Sequence, residues 1–305
     1  MSTLAITNLR IDARTQDGPR SIVGGIDLAL QSGRIHGLAG ESGSGKTMTA
    51  LAVLGLLPQT MTASGSIRLD SHGVGTELLG ASRHVLGAVR GRRIAMVFQD
   101  PSTSLHPQIS IGRQLTDHLR HHLELNRPDA RARAVALLER VRVPNPLDAL
   151  GKYPHQFSGG QRQRIAIAVA LACDPEVLLA DEPTTALDVT VQAGVLQLLR
   201  ELVDDTGLSL LLVTHDLGVM SAIADEVTVM RGGVVVESAP RRQLFTAPRH
   251  EYTASLLAAL PGSKLERAPE ALVAELLDPS GPDLSGPDPS GPDLSEPDLS
   301  EGERG

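Results

Sequence analysis

The octapeptide GESGSGKT at residues 40–47 has the residue types and the spacing of a phosphate-binding loop. It lies between the apolar run RIHGLAG and the helical pattern TMTALAVLGLL, so it joins a predicted strand to a predicted helix. Lys46 is expected to reach β- and γ-phosphate oxygens, and Thr47 to offer its hydroxyl to Mg²⁺. A Rossmann fingerprint is excluded, because its third glycine would fall on Met48. The small residues that would surround the phosphates are Gly40, Ser42, Gly43, Ser44 and Gly45.

Two adjacent carboxylates end the apolar run VLLADEP at residues 177–183. Beside a phosphate loop, Asp181 is predicted to hold the Mg²⁺ shell, and Glu182 to orient and deprotonate an attacking water. Strand alternation points the two side chains in different directions, which is compatible with two roles. Gln99, at the end of RIAMVFQD, and His215, at the end of LSLLLVTHD, are each ambiguous alone, although His215 is a candidate contact of the γ-phosphate.

Two adjacent glycines open a helix in the stretch YPHQFSGGQRQR at residues 153–164. One interpretation is an ordinary N-cap, in which Ser158 bonds a first-turn amide and the glycines permit the turn. The other is an anion-binding site, because unpaired N–H groups and the positive end of the helix dipole converge where Gly159 and Gly160 let a phosphate approach. These residues alone leave both interpretations open.

Apolar strand-like runs alternate with helical patterns along most of the chain. RIHGLAG, EVLLAD and LSLLLVTHD are each followed by a helical segment, which predicts an α/β protein with a parallel sheet covered on both faces. Residues 102–155 break this rhythm with charged, proline-punctuated helical sequence, which predicts an inserted helical subdomain. The α/β core then comprises residues 1–101 and 156–245.

Composition limits the compartment and the classes of partner. The single cysteine, Cys173, excludes an intrachain disulfide, and the N-terminus MSTLAITNLR lacks an apolar h-region, so we expect a cytoplasmic protein. No apolar run approaches the roughly 18 residues of a bilayer-spanning helix, so membrane association should go through a partner. Of the net charge of −8, a balance of −9 lies beyond residue 264, from eleven acidic and two basic residues. No basic face for nucleic acid is therefore indicated.

The C-terminal segment is an acidic five-residue repeat. DPSGP, DLSGP, DPSGP, DLSEP and DLSEG run from residue 278 to residue 302. This composition cannot bury enough apolar area to offset backbone ordering, so we expect a disordered acidic tail over residues 278–305. An inert solvating tail is the favoured interpretation, and docking or phosphorylation of its serines is the alternative.

Taken together and in order, these motifs resemble the ATPase subunits of ATP-binding cassette (ABC) transporters. The resemblance covers residues 4–260 and rests on GESGSGKT, Gln99, FSGGQ, VLLADEP, the ALD at 186–188, and His215. It implies a P-loop NTPase core with a mainly parallel sheet, an antiparallel β subdomain and an inserted α-helical subdomain. It also implies ATP with Mg²⁺ as ligands, and a dimer of homologous ATPase subunits that encloses two nucleotides.

The resemblance assigns roles to the remaining motif residues. In the family, the helix end at SGGQ binds the γ-phosphate of the ATP held by the facing subunit. Gln99 is implied to contact Mg²⁺ and to act with Glu182 and His215 in catalysis, while its region and the helical subdomain pass motion to membrane subunits. The residues implied to contact nucleotide from this side are Ser158, Gly159, Gly160 and Gln161, which form the signature segment SGGQ, and Asp188.

More specific likeness lies in FQDPSTSLHP, YPHQFSGGQRQR, DEPTTALDVTVQA and PRHEYTASLLAALP. These look like the ATPases of importers for dipeptides, oligopeptides or nickel, whose usual H-P-Y-T segment here has Glu251 in place of proline. Residues 246–277 would be the C-terminal extension of that family.

The likeness implies an ATP-hydrolysing subunit of an importer for peptides, peripheral on the cytoplasmic face of the membrane. Its expected partners are an identical or paralogous ATPase, transmembrane permease subunits and, indirectly, an extracytoplasmic solute-binding protein, with no nucleic acid. One alternative is an importer of nickel or another small solute. The other is a non-transport ABC ATPase, which usually has two cassettes or a long coiled-coil insertion that this chain lacks.

Two further features are a histidine cluster and the absence of an aromatic side chain near the N-terminus. His118, His121 and His122 have helical spacing that could ligate a transition metal, but cargo should not enter the ATPase, so a solvated helix face is favoured. Relatives usually stack adenine on an N-terminal aromatic side chain, whereas that position here appears as Ala13 followed by Arg14. No Phe, Tyr or Trp precedes Phe98, so weak ATP affinity and poor discrimination against GTP are expected.

Overall fold

The computed structural model describes residues 2–71, 73–185 and 187–259. The predicted acidic tail and the later part of the predicted 246–277 extension lie outside the described residues. The strands, in chain order, are β1 (Ser2–Thr15), β2 (Gly18–Gln31), β3 (Ile35–Gly40), β4 (Met61–Ser71), β5 (Val74–Glu77), β6 (Ile94–Val97), β7 (Val177–Asp181), β8 (Ser209–Val213), β9 (Glu226–Arg231) and β10 (Val234–Pro240).

Helices connect most of these strands. They are α1 (Lys46–Val53), α2 (Arg83–Val89), α3 (Pro101–Ser104), α4 (Ile111–Leu123), α5 (Arg127–Arg140), α6 (Pro146–Ala149), α7 (Gly159–Ala170), α8 (Val189–Thr206), α9 (Leu217–Ile223), α10 (Arg241–Thr246) and α11 (Glu251–Ala258), with a 3-10 turn at Pro154–Gln156. Within the described ranges, none of these helices is long and apolar enough to cross a membrane.

A six-stranded sheet in the order β10-β9-β3-β8-β7-β6 forms the centre of the protein. Neighbouring strands from β9 to β6 run parallel, and β10 pairs antiparallel with β9. Every residue of β3, β7 and β8 is buried, which explains why their sequences are almost continuously apolar instead of alternating. The predicted mainly parallel sheet is confirmed.

A second sheet, in the order β2-β1-β4-β5, is entirely antiparallel. Its buried side chains, including Leu4, Ile11 and Ile67, pack in one cluster with residues of α1, β7 and β8. The two sheets therefore share a core, and the implied antiparallel β subdomain is confirmed.

The segment after β6 is helical, as the break in sequence rhythm predicts. Helix α4 buries Ile111, Leu115 and Leu119, which share one face through their four-residue spacing, and it packs against α5. Helix α7 packs in turn against α3, α4, α5 and α8. The α/β fold with inserted helices is thus confirmed, whereas the division at residues 102 and 155 stays a prediction.

The parallel sheet brings four predicted motifs to one edge, because the carboxyl ends of parallel strands meet at the same side of a sheet. The loop at 40–47 follows β3, and Gln99 follows β6. Asp181 ends β7, and His215 follows β8. Strands β6, β7, β8 and β3 are consecutive neighbours, so residues far apart in sequence converge.

The start of α11 explains the departure from the H-P-Y-T pattern. His250 is the N-cap of this helix, and its Nδ1 accepts the backbone N–H of Tyr252 at 3.1 Å. Glu251 therefore occupies the first helical position, where proline fits sterically and where a carboxylate is favoured by the helix dipole. Either residue is compatible with the same helix start.

Candidate active site

The loop at 40–47 wraps closely against the strands around it. Gly40 has φ 146° and Gly45 has φ 98°, values that disfavour any side chain. A Cβ on Gly40 would lie 2.2 Å from the carbonyl oxygen of Met230, and one on Gly45 would lie 2.9 Å from Val23 Cγ2. Both glycines are therefore required by packing within the chain, while Ser42 and Gly43 lie exposed at the tip of the loop.

Lys46 begins α1 and points into the loop. Its Nζ donates to the carbonyl oxygens of Gly40 at 2.7 Å and Glu41 at 2.9 Å, and to Ser44 Oγ at 3.4 Å. Burial lowers the pKa of the Lys46 ammonium, and the nearby carboxylates of Glu182 and Asp181 partly oppose this effect. The predicted lysine thus lies between the loop and both predicted carboxylates.

Thr47 and Asp181 bring two hard oxygen atoms next to each other. Thr47 Oγ1 donates to Asp181 Oδ1 at 3.1 Å, across a separation of 134 residues in sequence. Burial raises the pKa of the Asp181 carboxyl, and the hydrogen bond from Thr47 opposes the rise. A hydroxyl and a carboxylate oxygen are donors that Mg²⁺ prefers, so the residues present fit this ion.

Glu182 is the centre of a hydrogen-bonded cluster. Its Oε2 accepts from Gln99 Nε2 at 2.8 Å and from Thr185 Oγ1 at 3.0 Å, and its Oε1 lies 2.8 Å from His215 Nδ1. Burial raises the pKa of Glu182, but hydrogen bonds from His215 and Thr185 and the charges of His215 and Lys46 outweigh it, so the pKa lies below its ordinary value. The three predicted catalytic residues are therefore in direct contact around an ionised carboxylate.

Thr185 is a site residue that sequence reasoning missed. It lies in the DEPTT stretch three residues after Glu182, and the turn between them, with Glu182 at φ 46°, brings its hydroxyl back to the carboxylate. The sequence does show a threonine three residues after the glutamate, but this spacing indicates a contact only when the turn between the two residues is known.

The signature segment begins α7 with a capping box. Ser158 Oγ accepts the N–H of Gln161 at 3.3 Å, and Gln161 Oε1 accepts the N–H of Ser158 at 3.1 Å. The ordinary N-cap interpretation is therefore confirmed for Ser158. It accounts for Ser158 and Gln161 by contacts within the chain, whereas the backbone N–H groups of Gly159 and Gly160 form no hydrogen bond with the described residues.

The two signature glycines differ in their surroundings. Gly160 is buried, and a Cβ there would lie 2.3 Å from Val191 Cγ1 in α8. At Gly159 the nearest atom to an added Cβ is Leu187 Cδ2 at 3.8 Å, which is ordinary contact. Gly160 is therefore required by helix packing, and the expectation that both glycines let a phosphate approach stays a prediction.

Asp188 caps α8 beside the signature segment. Its Oδ1 accepts the backbone N–H of Val191 at 2.9 Å, so its carboxylate satisfies the start of this helix. In the described part of the chain, no hydrogen bond joins residues 158–161 or Asp188 to the cluster around Lys46 and Glu182. The predicted site residues thus form two separate groups.

The first strand supplies no ring for a purine base. Ala13 lies in β1 between Arg20 of β2 and Met61 of β4, and it is partly exposed. Arg14 beside it is exposed, with its backbone N–H bonded to the carbonyl of Thr60 at 2.8 Å. The position expected to face the base therefore presents a methyl group and a neighbouring guanidinium.

One histidine of the DHLRHH segment departs from the predicted solvated face. His118 is half-buried, and its Nε2 is buried with no hydrogen-bond partner among the described residues. Burial lowers the pKa of His118, and the neighbouring His122 lowers it further. The described ranges contain no group of three or more His, Cys, Asp or Glu side chains arranged to hold a metal ion.

Comparisons with known proteins agree with this geometry. The family model described as ABC transporter matches residues 23–185. A Brucella melitensis protein whose name describes it as a peptide import ATP-binding protein is 46% identical over 269 residues, which are 87% of this chain and 80% of the relative. The dipeptide transport ATP-binding protein DppD of Bacillus subtilis is 41% identical over 267 residues, 87% of this chain and 78% of the relative.

A solved structure is similar as well. The dimeric ATP-binding cassette MJ0796 bound to ADP and Pi has a TM-score of 0.68 and 26% identity, over 78% of this chain and 99% of the cassette. These matches are all to ABC ATP-binding proteins, which is the family that the sequence motifs predict. The chain belongs to the ABC transporter family, and it is an ATP-binding cassette that hydrolyses ATP.

Proposed function

We propose that this ATPase energises the import of peptides across a cell membrane. The proposal is supported by relatives that are named for peptide, dipeptide and oligopeptide transport and that match 85–87% of this chain. It is also supported by the cluster in which Glu182 joins Gln99, Thr185 and His215, because a hydrolytic ATPase needs a positioned base.

The residues of the first cluster would hold ATP and activate water. The N–H groups of the loop and the ammonium of Lys46 would bind the phosphates, with Lys46 exchanging part of its bonds to loop carbonyls for phosphate oxygens. Thr47 and Asp181 would hold Mg²⁺, which when bound supplies positive charge against the β- and γ-phosphate oxygens.

Glu182 would accept the proton of the attacking water. With its pKa below the ordinary value, the carboxyl is ionised at neutral pH and can accept a proton. Gln99 and Thr185 fix one carboxylate oxygen, and His215 contacts the other while 59% of its side chain stays exposed. The orientation of the base is thus set by three different elements.

The second cluster would act on the nucleotide of a facing subunit. Ser158 and Gly159 are accessible at the start of α7, and the N–H groups there can stabilise a phosphoryl group electrostatically. Because α1 packs on β2, β3 and β7 while α7 packs on α3, α4, α5 and α8, one chain holds the two halves apart. A dimer would complete two sites at once.

The ATPase would work at the cytoplasmic face of the membrane, bound to permease subunits. A strain that lacks the gene tests this proposal when it is complemented with the wild-type chain or with Glu182→Gln. Uptake of labelled di- and oligopeptides should return only with the wild type. Restored uptake of labelled Ni²⁺ with unchanged peptide uptake would instead identify a metal importer.

A further inference from the structure

An arginine-rich groove of about 700 Å³ lies between α4, α5 and α6. Leu147 of α6 lies on it with 62% of its surface exposed. The groove therefore combines positive charge with an apolar contact. Its charged lining residues, four arginines and two aspartates, are Arg113, Arg120, Arg127, Arg131, Asp117 and Asp148.

Most of the positive charge in the groove is unpaired. Arg113 forms an exposed ion pair with Asp117 at 3.2 Å. In contrast, Arg120, Arg127 and Arg131 form no ion pair within 4.0 Å inside the described ranges. Arg127 and Arg131 are one helical turn apart on α5, so their charges repel, and a carboxylate between them would relieve this repulsion. Guanidinium groups also bind carboxylates through two parallel hydrogen bonds.

We propose that this groove binds the acidic repeat of the chain itself, residues 278–303. That segment has eight carboxylates and no basic residue. Each five-residue unit begins with aspartate, and in three units the next residue is leucine, at Leu284, Leu294 and Leu299. The repeat thus offers the charge that the guanidinium groups lack and an apolar side chain for Leu147.

The chain is long enough to make this contact. Residue 278 follows the end of α11 at Ala258 by twenty positions along the chain. Twenty residues span at most about 70 Å, whereas a globular chain of this size has a radius of gyration of roughly 18 Å, hence a diameter of roughly 47 Å. The repeat can therefore reach any face of the same subunit.

The repetition itself favours docking in several registers. Because equivalent Asp-led units recur every five residues, each can occupy the groove in turn, which raises the effective concentration of the ligand. The arginines are exposed, so the association depends strongly on ionic strength. Helix α5 packs directly on α7, so the bound repeat lies one helix away from the signature segment.

Zero-length carbodiimide coupling of the full-length chain tests the contact. Of the lysines, Lys46 is buried in the phosphate loop, and Lys152 is exposed directly beside the groove residue Gly151. Lys264 precedes the repeat and serves as the internal reference for coupling. Mass spectrometry should find amide bonds between Lys152 and carboxylates of residues 278–303, and their yield should fall roughly fivefold or more between low salt and 0.5 M salt.

Matched variants separate the groove from general attraction. Arg127→Gln with Arg131→Gln should reduce coupling to Lys152 at low salt as much as high salt does. The control variant, Arg83→Gln with Arg242→Gln, removes two exposed arginines elsewhere and should leave the yield unchanged. Melting temperatures of both variants verify that the fold is intact.

The same coupling decides which copy supplies the repeat. A mixture of ¹⁵N-labelled and unlabelled chains should give products within one isotope class. Products that join a labelled chain to an unlabelled chain, beside products within each class, would overturn binding within the subunit in favour of the repeat of a second copy. Equal coupling to Lys152 in the groove variant and its control, or coupling to Lys264 alone, would overturn the proposal entirely, and neither result bears on which solute is transported.

Discussion

The different surroundings of Gly159 and Gly160 lead to opposite expectations for the same substitution. In Gly160→Ala the new Cβ would lie 2.3 Å from Val191 Cγ1, and valine cannot easily rotate away because its χ1 is restricted. Overpacking of this kind costs about 1–3 kcal/mol of the free energy of unfolding. In Gly159→Ala the added methyl meets nothing closer than 3.8 Å, and the loss of backbone freedom in the unfolded chain should stabilise the fold by about 0.4–1 kcal/mol.

Thermal unfolding and steady-state ATP turnover measure the two effects separately. Gly160→Ala should lower the melting temperature by roughly 2–12 °C, given about 2–4 °C per kcal/mol for a chain of this size. Gly159→Ala should melt at or slightly above the wild-type temperature, yet lose roughly tenfold or more in turnover, because the methyl obstructs the approach of a phosphate to the helix start.

A rescue variant provides the control. Val191→Ala removes the methyl groups that the new Cβ would meet, so Gly160→Ala combined with Val191→Ala should be more stable than the sum of the two single changes predicts. The reasoning is refuted if Gly160→Ala melts with the wild type, or if the double variant shows no coupling. A destabilised Gly159→Ala would likewise contradict the open surroundings of that residue.

Four further predictions address the site and the core. Glu182→Gln should retain ATP binding and a closed dimer but lose roughly 100-fold or more in turnover, since only the base is removed, and turnover near the wild-type rate would contradict its role. Subunits with Ser158→Arg and subunits with Lys46→Ala should each be inactive. If the chain pairs with itself, mixing them should restore part of the ATPase activity, because one of the two sites in a mixed dimer is intact. Full activity of Ser158→Arg alone would rule out a site shared between two subunits. Ala13→Tyr should tighten ATP binding by about 1–3 kcal/mol in titration calorimetry and improve discrimination against GTP, whereas tight, adenine-selective binding by the wild type would show that another group holds the base. Burial lowers the pKa of His36 from 6.5 to about 4, so as pH falls the unfolded chain takes up a proton before the folded chain does. About 3 kcal/mol of the free energy of unfolding should therefore be lost between pH 6.5 and pH 4. His36→Gln should flatten this part of the pH–stability curve, and an unchanged slope would argue against the buried neutral ring.

The central sheet could be predicted because strands that are buried on both faces have almost continuously apolar sequences. The runs that form β3, β7 and β8 are almost wholly apolar, and each ends in a motif residue or leads into one. The rule that parallel strands present their carboxyl ends at one edge of the sheet accounts for the closeness of Lys46, Asp181, Glu182 and His215.

The remaining features depend on contacts that no local pattern contains. Strands β1 and β2 shift register at several points, which disrupts the two-residue alternation that would have marked them. The requirement for glycine at position 160 comes from Val191, and that contact exists only after α7 and α8 pack together. The half-buried ring of His118 similarly depends on how the turn at Gly91 approaches α4.

At Glu182 the requirements of stability and of catalysis are opposed, because its backbone conformation favours glycine whereas turnover needs its carboxylate. A φ of 46° in a residue with a long side chain costs about 1 kcal/mol or more relative to glycine, and the neighbouring Asp181 adds electrostatic repulsion between the two carboxylates. Selection for thermal stability alone would tend to replace this glutamate by glycine or asparagine. Its retention therefore depends on selection for turnover, and libraries screened only for expression or heat resistance should accumulate inactive chains through changes at this codon.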